Sequence, residues 1–156
     1  MPLEEIIFKA LCVIPARGGS KRIPRKNVRP FLGEPILTYS IRAALDCGLF
    51  DTVMVSTDDQ DIARIGVDAG AEVPFLRSER TADDHAGLAE VLLEVLETYE
   101  AQKTHWDVVG CVLPTAPLLL SSDIVAAHQT MLERKAAGVF SLARFSYPIQ
   151  RAQMIN

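Results

Sequence analysis

Short apolar runs alternate with longer amphipathic stretches along this chain, and that alternation constrains its fold more than any other feature. Residues 10–14 (ALCVI) read as a buried strand, followed by a long glycine-, proline- and basic-rich loop to about Glu34. Pro35 suits the first turn of a helix whose inner face carries Ile36, Tyr39, Ser40, Ala43, Ala44 and Cys47, with Gly48 as its C-terminal cap. Thr52–Ser56 (TVMVS) reads as a second strand. Asp58 or Asp59 caps a helix with Ile62, Ile65, Gly66 and Ala69 inward and Gly70 behind it. A short strand at residues 72–74 precedes a polar loop. Leu88, Val91, Leu92, Val95, Leu96 and Tyr99 then form a stripe at helical spacing. Residues 107–113 (DVVGCVL) read as another buried strand. Ser121 or Ser122 opens a helix running to about Ala137, Gly138 ends it, and residues 139–143 read as a last strand.

Strands separated by helices require crossover connections, so the predicted fold is α/β: a three-layer α/β/α sandwich around a mainly parallel, Rossmann-like sheet. Ligands of such sheets bind beyond the carboxyl ends of the strands. The two most distinctive loops, after Ile14 and after Leu113, both leave strands at that edge. The chain has 156 residues, which fits one domain spanning 1–156, with no internal repeat, low-complexity tract or linker.

Charge placement says more than the total. The net charge is −4, which gives no general reason to bind nucleic acid or an anionic membrane. Yet Lys9, Arg17, Lys21, Arg22, Arg25, Lys26 and Arg29 follow one another with no acid between them. An acidic chain with one concentrated basic stretch has the makings of a local anion site. Residues 108–120 are the most apolar segment but are short and contain Pro114 and Pro117, so they do not span a bilayer. The 3 cysteines, Cys12, Cys47 and Cys111, cannot all pair and show no CxxC spacing, and no secretory signal opens the chain. A cytoplasmic location is the expectation.

The segment IPARGGSKRIPRKN, residues 14–27, carries the chemistry. Gly18 and Gly19 permit close backbone approach, and consecutive amides in such a turn can cradle an anion. Arg17, Lys21 and Lys26 can neutralise a triphosphate, Ser20 adds a hydroxyl donor, and Asn27 offers a donor and an acceptor to a base or sugar. The segment is neither a P-loop nor a dinucleotide fingerprint, because GxxxxGK[ST] and GxGxxG are both absent from it. A solvated basic loop is the bland alternative. Glycine pair, cation cluster and position after the first strand together favour the anion site.

This segment resembles the signature of the acylneuraminate cytidylyltransferases, the CMP–sialic acid synthetase group. VSTDD at residues 55–59, FLRSE at 75–79 and LPTAP at 113–117 match further family motifs in order. RFSYPIQRA at 144–152 looks most like the branch acting on pseudaminic acid. The resemblance implies a nucleotide-diphospho-sugar transferase type of fold and a reaction in which CMP passes from CTP to a nine-carbon acidic sugar with release of pyrophosphate. It implies that Arg17 and Lys26 hold the triphosphate and stabilise the charge of transfer, as catalytic residues. Ala16, Arg17, Gly18, Gly19, Ser20, Lys21, Asn27 and Arg77 would form the nucleotide site, with Asn27 and Arg77 at the cytidine moiety. For Arg77 a surface salt bridge, for instance with Glu79, is an even alternative.

Leu113, Pro114 and Thr115 match the family's turn beside the sugar. Sialic-acid members carry Gln before that proline, and Ser is common where this chain has Ala116. The loss of an amide favours a less polar nonulosonic acid, pseudaminic acid above N-acetylneuraminic or legionaminic acid, although a core-facing Leu113 is also a plain packing choice. The family also implies Mg²⁺, but no residue here is assigned as its ligand. Asp58 and Asp59 fit a helix cap better than a metal pair, and His85, His105 and His128 are widely spaced. Asp83 and Asp84 lie in the polar loop that would close over the nucleotide. Family members continue beyond the last strand with a dimerising, metal-binding segment. The chain is therefore expected to be either a fragment of a homodimeric enzyme or a nucleotide-binding module without efficient turnover. A dinucleotide-binding domain is a third reading.

Overall fold

The computed structural model describes residues 8–20, 22–83 and 86–143. The elements in order are β1 (Ala10–Pro15), a 3₁₀ turn (Lys26–Val28), β2 (Pro30–Phe31), β3 (Glu34–Pro35), α1 (Ile36–Asp46), β4 (Thr52–Ser56), α2 (Gln60–Asp68), α3 (Glu79–Ala82), α4 (Leu88–Ala101), β5 (Val108–Cys111) and α5 (Ser121–Glu133). Strands β4, β1 and β5 form a parallel sheet in that order. Ile14 lies opposite Val55 on one side of β1, and Cys12 lies opposite Gly110 on the other.

The two faces of β1 divide the core. Cys12 and Ile14 pack with Leu37, Ile41 and Ala44 of α1 and Ile62 of α2, with Ile124 of α5 at the margin. Leu11 and Val13 point the other way, onto Val95 and Tyr99 of α4 and onto Trp106. This alternation of successive side chains makes β1 the middle of a three-layer sandwich, as the sequence pattern requires. Gly66 of α2 lies so close to β4 that an added Cβ would sit 3.1 Å from a Val55 methyl.

Several boundaries differ from the sequence reading. The buried face of α1 is centred on Leu37 and Ile41, both fully buried, rather than on Ile36 and Tyr39. The Tyr39 hydroxyl donates to the Phe31 carbonyl at 2.8 Å, so this side of α1 carries the β2–β3 hairpin instead. That hairpin lay in the predicted loop. Its turn places Leu32 and Gly33 at φ 49° and 92°, and no Asn-Gly or Asp-Gly pair announces it. The strand at residues 72–74 shrinks to a single bridge between Glu72 and Met54. Helix α5 stops at Glu133, not near Ala137, because Lys135 adopts φ 49° and Ala136 donates to the Met131 carbonyl at 3.0 Å. That left-handed stop is the role expected of Gly138.

Residues 139–143 form no strand. Phe140 and Leu142 are 79% and 84% exposed, and a short apolar run makes no strand without a neighbouring ladder. Among the described residues no helix is long and apolar enough to cross a membrane.

Candidate functional site

Strands β1, β4 and β5 all end at one edge of the sheet. The chain leaves β1 for β4 on one side and later reaches β5 on the other, so the order reverses at β1. Such a reversal opens a crevice between the loops that follow the adjacent strands. A cleft of about 280 Å³ occupies that place, lined by Arg17, Lys26, Asn27 and Arg77 from the loops after β1 and β4 and by Leu113, Pro114 and Thr115 from the loop after β5. Residues from loops more than half the chain apart thus line one cleft, as the sequence motifs require.

The loop after β1 is held by the loop after β4. The Ala16 amide donates to the Ser56 carbonyl at 2.9 Å, extending the strand pairing by one step. The Gly18 amide donates to Asp58 Oδ1 at 2.9 Å. A Cβ on Gly18 would lie 2.8 Å from Asp59 Cβ, so a side chain cannot be accommodated there without displacing α2's first turn. Gly19 has open space around it. The glycine pair is therefore required at its first position only, and by close approach rather than by a left-handed backbone. The Ser20 amide turns back onto the Gly18 carbonyl at 2.9 Å. The amides of Gly18 and Ser20 are thus engaged within the protein, so the cations rather than a row of amides are what this loop can offer an anion.

Arg17 is half-buried, and its Nη1 donates to the Asp83 carbonyl at 2.7 Å and the Ala82 carbonyl at 3.5 Å. Arg77 is 9% exposed. Its Nη2 donates to the Ser56 carbonyl at 2.6 Å, its Nε to Ser56 Oγ at 3.2 Å and its Nη1 to the Thr81 carbonyl at 3.5 Å. The surface bridge to Glu79 is not what the structure shows. Burial pulls the Arg77 guanidinium below its ordinary value, Asp58 and Glu94 pull it back up, and nearby Arg17 lowers it further. A guanidinium penalised by burial and by the Arg17 charge beside it, in a cleft also lined by Lys26, is an arrangement that a bound anion would stabilise.

Asn27 is buried, and its Nδ2 donates to the Arg17 carbonyl at 2.9 Å while Oδ1 has no partner among the described residues. A buried acceptor left open on a cleft wall is suited to a ligand's N–H or O–H donor. Across the cleft, Leu113 is 56% exposed, which removes the packing explanation for an apolar residue at that position. Its carbonyl accepts from the fully buried Ser40 Oγ at 2.8 Å, so α1 positions this turn. Leu88 also lines the cleft, at the end of a stripe whose later members enter the core.

The two aspartates act as structural clamps. Asp59 Oδ1 accepts from the amides of Asp61 and Ile62 at 2.9 and 3.0 Å, capping α2 as expected. Asp59 and Asp61 also hold Arg25 at 3.4 and 3.1 Å. Among the described residues no group of three or more His, Cys, Asp or Glu side chains is placed to hold a metal ion. The described carboxylates nearest the glycine loop are committed to amides and to Arg25, so they do not fit the implied Mg²⁺. Lys21, Asp84, His85 and the segment at 144–152 lie outside the described residues.

A family model described as cytidylyltransferase matches residues 11–151. This chain belongs to the cytidylyltransferase family. It is 43% identical over 149 residues to a pseudaminic acid cytidylyltransferase of Campylobacter jejuni, covering 96% of this chain and 64% of that protein. It is 39% identical over 110 residues to a CMP-N,N'-diacetyllegionaminic acid synthase of Legionella pneumophila, covering 70% and 47%. Among solved structures it resembles a CMP:2-keto-3-deoxy-manno-octonic acid synthetase complexed with CTP. The TM-score is 0.67 and the identity 27%, over 82% of this chain and 49% of that one. The fold is that of the nucleotide-diphospho-sugar transferases, as the sequence motifs imply, and the dinucleotide-binding reading falls away.

The structure brings Arg17, Lys26, Asn27, Arg77 and the 113–115 turn, all singled out by the sequence reading, to the lining of one cleft. Sequence reasoning missed the residues that hold Arg17, Arg77 and Leu113: Ser40, Ser56, Thr81 and the carbonyls of Ala82 and Asp83. A backbone carbonyl carries no sequence signal, and a buried serine or threonine differs from an exposed one only through its tertiary surroundings.

Proposed function

We propose that this cleft binds CTP and that the protein of which it forms the nucleotide site transfers CMP to a nonulosonic acid, pseudaminic acid first among them. The sugar's anomeric oxygen bonds to the α-phosphorus as the bond to the β-phosphate oxygen breaks, the hydroxyl proton leaves, and pyrophosphate departs with the bonding electrons. Arg17 and Lys26 stabilise the charge that develops on the phosphates, and Arg77 and the open Oδ1 of Asn27 fix the cytidine half. Fixed cations and dipoles aimed at developing charge supply much of the catalysis in such transfers. No step is assigned to a metal.

The single observation that carries this reading is the convergence of Arg17, Lys26, Asn27 and Arg77 on one wall of a cleft at the point where strand order reverses. The substrate choice rests on Leu113, exposed on the opposite wall with no amide to meet a polar acyl group or hydroxyl. Pseudaminic acid, which carries a deoxy carbon, suits such a wall.

The test has two arms. Titration with CTP should give saturable binding, strongly weakened by Arg17→Ala or Lys26→Ala with the fold intact; unchanged affinity in both variants defeats the site assignment. A pyrophosphate-release assay over pseudaminic, legionaminic and N-acetylneuraminic acids should rank pseudaminic acid first. Preference for N-acetylneuraminate would overturn the substrate reading. CTP binding with no release from any sugar would make the chain a nucleotide-binding module.

A further inference from the structure

Both cleft arginines lean on a piece of backbone that cannot hold its own shape. Helix α3 is one turn long, and a single isolated turn does not persist in water. Its C-terminal carbonyls nonetheless receive Arg77 at Thr81, and Arg17 at Ala82 and Asp83. Something outside the turn must fix it.

That fixture is Glu94, on a helix anchored in the core by Val91, Val95 and Tyr99. Its carboxylate accepts from the Ser78 amide at 2.8 Å and from Ser78 Oγ at 3.0 Å, and it also accepts from Thr81 Oγ1. The three donors lie at the two ends of α3, so one carboxylate spans the turn. Burial alone would raise the Glu94 carboxyl, but the bonds from Thr81 and Ser78 hold it below its ordinary value, so it remains charged near neutrality. Thr81 is 2% exposed, so its hydroxyl needs an acceptor within the protein, and Glu94 supplies it.

We infer that Glu94 is a positioning residue for the nucleotide site: by pinning Ser78 and Thr81 it sets the carbonyls that aim the Arg17 and Arg77 forks into the cleft. The inference rests on the nucleotide reading of that cleft. It differs from a merely structural staple, because a staple would change stability without changing how CTP meets Arg17.

The experiment is calorimetric titration of CTP into the full chain and five variants: Glu94→Ala, Glu94→Gln, Arg17→Ala, the Glu94→Ala/Arg17→Ala double variant, and Glu97→Ala. Glu94→Ala should weaken CTP binding about tenfold, the loss expected when one buried hydrogen-bonded network is released. Glu94→Gln should recover most of it, since one amide oxygen still accepts from Ser78 and the hydroxyls can rotate to accept from the amide nitrogen. Glu97→Ala, at a position on α4 like Glu94, removes only an exposed 3.8 Å pair with Arg80 of α3 and should leave binding unchanged.

On the Arg17→Ala background the Glu94→Ala loss should shrink to about threefold or less, because residues acting through one another are not additive. Full additivity, or CTP affinity within about twofold of wild type in Glu94→Ala, would overturn the inference. Should Glu94→Ala not fold, Ser78→Ala carries the same test with a smaller expected loss, and no change there is equally fatal. Absence of CTP binding by the wild-type chain overturns this inference and the nucleotide reading together, whereas binding that is insensitive to Glu94 sinks the inference alone.

Discussion

The two walls of the cleft are built to different standards. On the wall formed after β1 and β4, Arg77 is buried with three hydrogen bonds and Arg17 is held by two carbonyls. Gly18 is wedged against Asp59, and Asn27 is fastened through Nδ2 to the Arg17 carbonyl. On the wall formed after β5, Leu113 is more than half exposed and its turn is tied to α1 by one bond from Ser40. Strand β5 itself is only half-buried, and α5 buries no residue fully. A preformed polar wall meets a ligand without losing ordering entropy at the moment of binding. The proposed function would divide the labour accordingly, the more firmly held wall taking the nucleotide and the loosely held wall the sugar.

The sharpest way to break this contrast is Arg77→Ala. The variant removes a cation and leaves the carbonyls of Ser56 and Thr81 without it, so CTP affinity should fall by about a hundredfold. The fold should lose only about 1–3 kcal/mol, because one buried network is disrupted while the sheet and its two core clusters stay intact. Isothermal titration beside chemical denaturation separates the two effects. An affinity within a few-fold of wild type would mean that Arg77 is a structural strut and that the rigid wall is not the nucleotide wall.

A second test uses the two glycines against each other. An Ala at 18 would drive its methyl into Asp59, whereas at 19 it meets nothing within 4 Å. Overpacking of this kind costs about 1–3 kcal/mol. Carried into the loop that presents Arg17, that cost should weaken CTP binding roughly tenfold in Gly18→Ala, while Gly19→Ala should bind within about twofold of wild type. Equal behaviour of the two variants would show that the loop relaxes freely, and the first wall would then be no more rigid than the second.

These residues also show what a sequence discloses and what it withholds. The basic glycine loop, the Leu113–Thr115 turn and the parallel sheet were legible because each is a local pattern: a glycine beside cations, an apolar run between amphipathic ones. Leu113 as a cleft residue was legible only as one of two readings, and its exposure decided between them. Arg77 was undecided because its partners, Ser56 and Thr81, join it only through tertiary packing. Helix ends follow the same logic. Gly48 and Gly70 take positive φ where sequence punctuation indicates, but Lys103 and Lys135 do the same job with φ of 60° and 49°, and no composition rule marks a lysine for it. Residues 139–143 are a short apolar run of the kind that fills strands, yet a strand exists only where another backbone supplies its ladder.

A smaller effect probes how the second wall is held. Ser40→Ala removes the donor to the Leu113 carbonyl, a change worth about 1 kcal/mol for one neutral buried bond. If this wall meets the sugar, the apparent KM for sugar should rise by about fivefold with CTP affinity unchanged. A loss in CTP affinity of the same size would show that the turn also serves the nucleotide, and the division between the walls would fail.

The finest prediction concerns Leu113 itself. Replacing it with Gln restores, on an exposed side chain at the rim of the cleft, an amide able to bond a sugar hydroxyl or acyl group. No buried contact is lost, so stability should stay within about 0.5 kcal/mol of wild type. The ratio of kcat/KM for N-acetylneuraminic over pseudaminic acid should rise by a few-fold, roughly the 1 kcal/mol that one solvent-accessible hydrogen bond contributes. The change must fall on the ratio and not on CTP binding, since the amide lies across the cleft from Arg17 and Asn27. A shift in both sugars alike would reduce Leu113 to a bystander of a specificity set elsewhere on that wall.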